Sequence, residues 1–469
     1  MKQKYKEYFK LFIDIVVLIT TIISTIIVSY YNENEGYSLF FLFPIEFMIL
    51  YFLLYRNLLF KELRLFLTSF SIIAYIRYVL MPVIIVMSGY YGGRSVVPPS
   101  IENYRTACVL MLYEFIVLSI SIVILEKKQK KKCLDSINGE IKQSSSKFIY
   151  YIFFMITILA TLLFPGALRM FSFINPRISG LEYLNSLPTN IAIVTYMLFT
   201  AKYLLYIVLI SYCYNKYKEK NNKSYRTLAF VITIINISIF YGLNRSDLVI
   251  PACASILLYM NLFKDKNIFK YAIIGIFIFF LITTIGESRQ IVSISKEKSK
   301  IVDLADTVQA YFGGVYNVAI SIETYEYYPE VRKPTRVVFD TFRPFIGINM
   351  FLKNTTIEST NNYFNKRLYF NDHTAQIVPI IGQGYIHFGL ILSPVLGVAI
   401  ICLAYFLENI LRKTSQIEII YFISICLIRM GFLMGQNTGN ISNEISMNLV
   451  LFTIIYIVNK KIKYKKKVR

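Results

Sequence analysis

Gly286-Glu287-Ser288-Arg289 opens the only long polar run of the chain, and Gly382-Gln383-Gly384-Tyr385-Ile386-His387-Phe388-Gly389 closes it. On either side the sequence is built of apolar runs long enough to cross a hydrocarbon core about 30 Å thick, which takes roughly 20 helical residues. Hydrophobic residues make up 56% of the 469, against about 45–50% in soluble domains. The expected fold is therefore all-α: a polytopic membrane protein with about 12 transmembrane helices and one large, partly helical extracellular loop. Three parts follow: a membrane domain over 1–285, the loop over 286–385, and three further spans with a basic tail over 386–469.

Working outward from the polar run, the spans before it fall at about 11–30, 37–55, 65–88, 106–126, 148–164, 189–214, 227–243, 247–263 and 269–285. Those after it fall at about 386–407, 417–434 and 444–459. The first is too long for a signal-peptide core, and another span begins within a few residues of its end.

The formal net charge of +22 invites a nucleic-acid reading, but its distribution answers otherwise. Lys and Arg crowd the N-terminus, the loops 56–64, 126–147, 215–226, 264–270 and 410–416, and the tail Lys460–Arg469. The opposite set of short loops holds only Arg94, Arg105, Arg169, Arg177 and Arg245. Positive residues gather on the cytoplasmic side, so both termini are expected inside a bacterial plasma membrane and the long polar run outside. The charge is then a topology signal with affinity for anionic lipid, and no nucleic-acid partner is needed. The 6 cysteines lie in apolar spans or basic loops without paired spacing, so neither a disulfide framework nor a metal site is expected. No other cofactor is expected.

Charges inside spans are costly and mark function or an internal brace. Arg77 and Glu114 sit at matching depth on consecutive antiparallel spans, which allows a buried ion pair, either a brace or a lipid or sugar site. Lys202 and Arg429 lie at similar depth, with Asp14 and Glu46 as candidate partners.

The outward face is rich in arginine. Arg245 sits in the tight turn Tyr241-Gly242-Leu243-Asn244-Arg245-Ser246-Asp247, Arg289 at the exit of the ninth span, and Arg336 and Arg343 within the loop. Arg169 and Arg177 lie in an earlier outer connection. A guanidinium fork stays charged and matches phosphate oxygens bidentately. Both histidines, His373 beside Asp372 and His387, lie in the run or at its exit. An Asp-His pair in a polar loop can be oriented and titrated near neutrality.

These features resemble a family. About 12 helices with one large outer loop late in the chain look like the O-antigen and capsule repeat-unit polymerases (Wzy type), which share a fold with the O-antigen ligases. The local likeness lies in Gly242–Ser246, in Gly286–Arg289 and in Tyr385–Gly389. Some family members carry an Arg-x10-Gly pattern in the third and fifth outer loops, matched here by Arg169…Gly180 and Arg336…Gly347.

The resemblance implies a metal-independent glycosyltransferase that moves a growing chain from undecaprenyl diphosphate onto a new lipid-linked repeat unit. It implies a chain-length regulator and a flippase of the same pathway as partners. Under it, His373, Arg289 and Arg245 are the catalytic candidates, and Arg336, Arg343, Arg169, Arg177 and His387 the substrate-binding ones. His373 ranks first as base, with His387, Asp247 and Glu287 the alternatives. The loop is read as a roof carrying Arg336, Arg343 and His373 over a floor of Arg245 and Arg289. A polysaccharide ligase shares nearly all these features. A transporter or flippase of lipid-linked oligosaccharide is the rival from another class, and the uneven split of spans around the loop, unlike two equal halves, disfavours it.

Overall fold

The computed structural model of the protein describes residues 2–60, 64–93, 95, 97–130, 147–173, 188–242, 245–264, 275, 278, 300–352, 355, 357–369 and 376–467. The described chain is almost wholly helical, as expected of segments that must satisfy every backbone group internally. In order, the main helices are α1 (Lys2–Tyr31), α2 (Glu35–Leu59), α3 (Leu65–Ser88), α4 (Ile101–Lys130), α5 (Phe148–Leu163), α6 (Thr189–Lys220), α7 (Lys223–Ser238), α8 (Arg245–Phe263), α9 (Lys300–Phe312), α10 (Val315–Tyr327), α11 (Thr335–Phe342), α12 (Thr360–Tyr369), α13 (Ile380–Leu392), α14 (Val395–Lys413), α15 (Ile417–Gly431) and α16 (Thr438–Lys467). Among the described residues, 8 helices are long and apolar enough to cross a membrane, with α5 and α13 as shorter apolar helices. The expected span 269–285 lies outside the described residues apart from 275 and 278.

Contacts divide the chain into two units. The first comprises Met1–Asp135, Ile294–Glu408 and Arg429–Asn443; the second comprises Ser136–Ser293, Asn409–Ile428 and Glu444–Arg469.

In the first unit, α1 presents Phe12, Ile19, Ile22 and Ile26 outward, an apolar stripe suited to lipid. Its other side holds Asp14, which accepts from Tyr51 Oη at 2.9 Å and pairs with Arg56 at 2.7 Å. That settles Asp14 with neither of the partners, Lys202 and Arg429, that depth alone offered. Arg77 and Glu114 meet as the sequence predicted, with Nη1 to Oε2 at 2.7 Å and both side chains almost completely buried. Both of the other guanidinium donors of Arg77 go to the carbonyl of Gly313, Nε at 3.1 Å and Nη2 at 2.8 Å.

That carbonyl belongs to the stretch read as an outer loop. There α9 packs along the second half of α3, and α10 packs between α4 and α13. The Gly313 corner joining them reaches the middle of α3. Gly313 has φ +62°, and a Cβ there would stand 2.7 Å from the Met434 carbonyl oxygen, so only glycine makes this turn against that backbone. Polar residues at the end of α9 and in α10 disguise this burial, because several of them bond one another. Gln309 accepts from the Tyr316 amide at 3.2 Å, Asn317 donates to the Gln309 carbonyl at 3.0 Å, and Ser321 bonds back to Asn317.

The expected tenth span, 386–407, is broken. α13 kinks at Gly389 (φ 71°), ends at Leu392, and α14 restarts at Val395. The return brings Gly384 against Ser393, where a Cβ would stand 1.9 Å from the Ser393 carbonyl oxygen. Gln383 bonds the start of α16, accepting from the Thr438 amide at 3.0 Å and donating to its hydroxyl at 3.1 Å.

The second unit holds α5 to α8. Here the expected span 227–243 stops early: α7 ends at Ser238 and a strand, Ile239–Tyr241, pairs antiparallel with Phe171–Phe173. The aromatic residues Phe171, Phe173, Phe240 and Tyr241, with Ile239, suit such a ribbon. Behind it Ile237, Phe240, Leu248 and Ala252 form a small core. Lys202 donates to the Ile239 carbonyl and lies 4.8 Å from the centre of the Tyr203 ring.

Candidate functional site

The strongest polar constellation in the first unit is built around α11. Pro334 precedes it with a fixed φ suited to a helix entry. Arg336, Phe339, Asp340 and Arg343 then recur at three- and four-residue spacing and share one face. Phe339 and Asp340 are buried and the two arginines at the ends of the stripe are half-buried. Seven residues correspond to about 10 Å of helix rise, a separation two long side chains can close onto one diphosphate.

Each arginine is seated without being consumed. Arg336 Nη1 donates to the Glu358 carbonyl at 2.9 Å, and its guanidinium carbon lies 5.1 Å from the centre of the Tyr363 ring. Arg343 lies 5.4 Å from the centre of the Phe339 ring. Lys366 also approaches Tyr363, at 5.6 Å, while pairing with Glu358 at 2.8 Å. A positive edge beside an aromatic ring is suited to a phosphorylated sugar, with charge for the phosphates and a ring face for the pyranose.

Between the arginines, Asp340 performs two tasks. Its oxygens accept from the Thr360 amide at 3.1 and 3.3 Å, at the start of α12, where the exposed amides and helix dipole favour a carboxylate. It also lies 3.8 Å from His387 Nε2, which is 2.9 Å from the Thr360 hydroxyl. The His387 side chain is 0% exposed. The sequence reading placed His387 among the substrate contacts; the structure places it behind that surface, tying α13 to α11 and α12. Its Nδ1 is buried without a hydrogen-bond partner.

A second buried charge pair secures α10 beneath this surface. Glu323 pairs with Arg367 of α12 and accepts from the Ser100 amide at 3.1 Å and from Asn103 Nδ2 at 3.4 Å, at the start of α4. Arg332 donates to the Tyr325 carbonyl at 2.8 Å and lies 4.1 Å from the centre of that ring. Two asparagines of α12 bind residues 376–378: Asn365 exchanges two bonds with Gln376, at 2.8 and 2.9 Å, and Asn361 accepts from the Val378 amide at 3.0 Å.

The structure thus brings together Arg336, Arg343 and His387 of the predicted set. In the second unit it brings the chain at Arg169 beside the Gly242 turn, because the Gly242 amide donates to the Met170 carbonyl at 3.0 Å. The side chain of Arg169 is exposed. Arg245 opens α8, with its side chain outside the described residues. His373, Arg289 and Arg177 lie outside the described residues altogether.

Sequence reading missed Asp340, Thr360, Glu358 and Tyr363. Asp340 carried a signal in its spacing between Arg336 and Arg343, and Asn361 and Asn365 in theirs; for Glu358 and Tyr363 there was none. Among the described residues no cluster of three or more His, Cys, Asp or Glu could hold a metal ion. No family model, curated protein or solved structure matches the chain.

Proposed function

We propose that the chain is a membrane glycosyltransferase that polymerises undecaprenyl-diphosphate-linked oligosaccharide repeat units into a surface polysaccharide on the outer face of the bacterial plasma membrane. This reading has about 12 spans, with both termini cytoplasmic and the segment 286–385 facing outward. The observation that carries it is the pair of half-buried arginines, Arg336 and Arg343, on one face of α11 beside Tyr363.

In the reaction, the glycosidic bond to the diphosphate breaks and the diphosphate leaves with the electron pair. The acceptor hydroxyl attacks the anomeric carbon and gives its proton to a base. Arg336 and Arg343 stabilise the charge growing on the leaving diphosphate, which preorganised donors do without reorganisation cost. Tyr363 offers its ring to the sugar next to the diphosphate. His387 acts as a positioning residue, because Asp340 and Thr360 hold it and through it α13 fixes the angle of α11. His373 is the base in this reading, with Arg245 and Arg289 as further catalytic arginines and Arg169 and Arg177 as further contacts to the lipid-linked substrate.

Purified full-length protein in nanodiscs, given undecaprenyl-diphosphate-linked repeat units and a metal chelator, is expected to release products lengthened by whole repeats. Absence of lengthened product from protein that is folded by its thermal melt contradicts the proposal. Transfer of preformed polymer to a second acceptor, without lengthening, points to the ligase instead.

A further inference from the structure

We propose that Glu46 and Glu114 form a proton-binding site at mid-length of the first unit's spans, and that its occupancy sets how firmly Arg77 holds the Gly313 corner. The inference concerns charge balance inside the bundle and does not rest on the glycosyltransferase reading.

Glu46 lies near the middle of α2, and Glu114 near the middle of α4. The two helices pack together at this depth, with the neighbouring rings of Phe47 and Phe115 stacked 6.1 Å apart. Among the described residues one cation faces them, Arg77 of α3, which bonds one oxygen of Glu114 at 2.7 Å. The second oxygen of Glu114 and both oxygens of Glu46 are buried without a hydrogen-bond partner.

Among the described residues, the other titratable groups at this depth are Tyr78 and Tyr55, whose rings stack on Phe115 beside Glu114, and both hydroxyls are committed elsewhere. Tyr78 donates to the Met111 carbonyl at 2.8 Å, and Tyr55 shares a 2.7 Å bond with Ser119. On α1, Asp14 is occupied by Arg56 and Tyr51. From α9 and α10, the corner presents only the Gly313 carbonyl to Arg77.

One guanidinium can neutralise one carboxylate. A second, unpaired carboxylate in a low-dielectric interior costs far more than taking up a proton, and intramembrane acids in this position serve proton binding. The chemistry therefore assigns one proton to the Glu46–Glu114 pair, held mainly on Glu46. If Glu46 gives that proton up, a second negative charge competes with the Gly313 carbonyl for the guanidinium donors of Arg77. The corner between α9 and α10 then loosens, and α10 carries the Glu323–Arg367 pair at its other end.

The test is infrared difference spectroscopy of the full-length protein in nanodiscs across a pH series, with hydrogen exchange of the 309–318 backbone measured alongside. Wild type is expected to show the carbonyl stretch of a buried carboxylic acid that Glu46→Gln removes. The protection factor at the corner, which removes the base-catalysed rise of intrinsic exchange with pH, is expected to fall on the order of tenfold as that band titrates away, the effect of losing one charge-assisted hydrogen bond, and to be independent of pH in Glu46→Gln. Glu46→Gln is isosteric with the protonated acid. Should it fail to fold, the wild-type band and its co-titration with corner exchange still decide. Absence of the band in wild type, its survival in Glu46→Gln, or a corner protection factor indifferent to its titration overturns the proposal.

Discussion

Arg77→Leu is expected to destabilise the protein by about 3–5 kcal/mol, because it leaves Glu114 as an uncompensated buried charge. It also strips both donors from the Gly313 carbonyl. The loss should fall first on α9 and α10, seen as faster hydrogen exchange there than in α1. The double replacement Arg77→Leu, Glu114→Leu removes the charge problem, and a buried pair replaced by apolar side chains is often neutral. Only the cost of the unsatisfied Gly313 carbonyl should then remain, about 1–3 kcal/mol. Melting curves that place the single variant level with wild type, or below the double by nothing, would show that the pair does not brace the corner.

The second large effect is on rate. Arg336→Met and Arg343→Met are each expected to lower polymerisation on the order of 10²–10³-fold, the usual consequence of removing one donor from a developing anion. Melting temperature should move little, since both side chains are half-exposed and their protein contacts are a single backbone carbonyl and aromatic rings. Arg336→Lys keeps the charge without the fork and should recover only part of the rate. Initial rates of lengthening measure this directly, and full activity in both Met variants contradicts the diphosphate role.

How far these features could be read from residues alone depends on which force specifies them. Apolar runs such as Leu65–Ser88 announce themselves because the membrane tolerates little else, and the Arg77–Glu114 pair followed from equal depth on neighbouring antiparallel spans. The insertion of α9 and α10 was illegible for the opposite reason. Gln309, Asn317 and Glu323 look like surface residues until their partners are known, and those of Glu323, Ser100 and Arg367, lie far from it in the chain. The broken span at Gly389 was hidden because a kinked apolar run has the same composition as a straight one. The ribbon between Phe171 and Tyr241 joins segments far apart in sequence, so no local pattern showed that Arg169 lies next to the Gly242 turn. In α11 the face was legible in its spacing, whereas the seat of Arg336 on Tyr363 depended on where α12 folds back.

The central claim is chemical, and deletion of the gene tests it most directly, with the surface glycan of the source cells displayed by electrophoresis. The account predicts that the ladder of chain lengths collapses to single repeat units and returns when the wild-type gene, but not Arg336→Met, is restored. A full ladder in the deletion strain contradicts it.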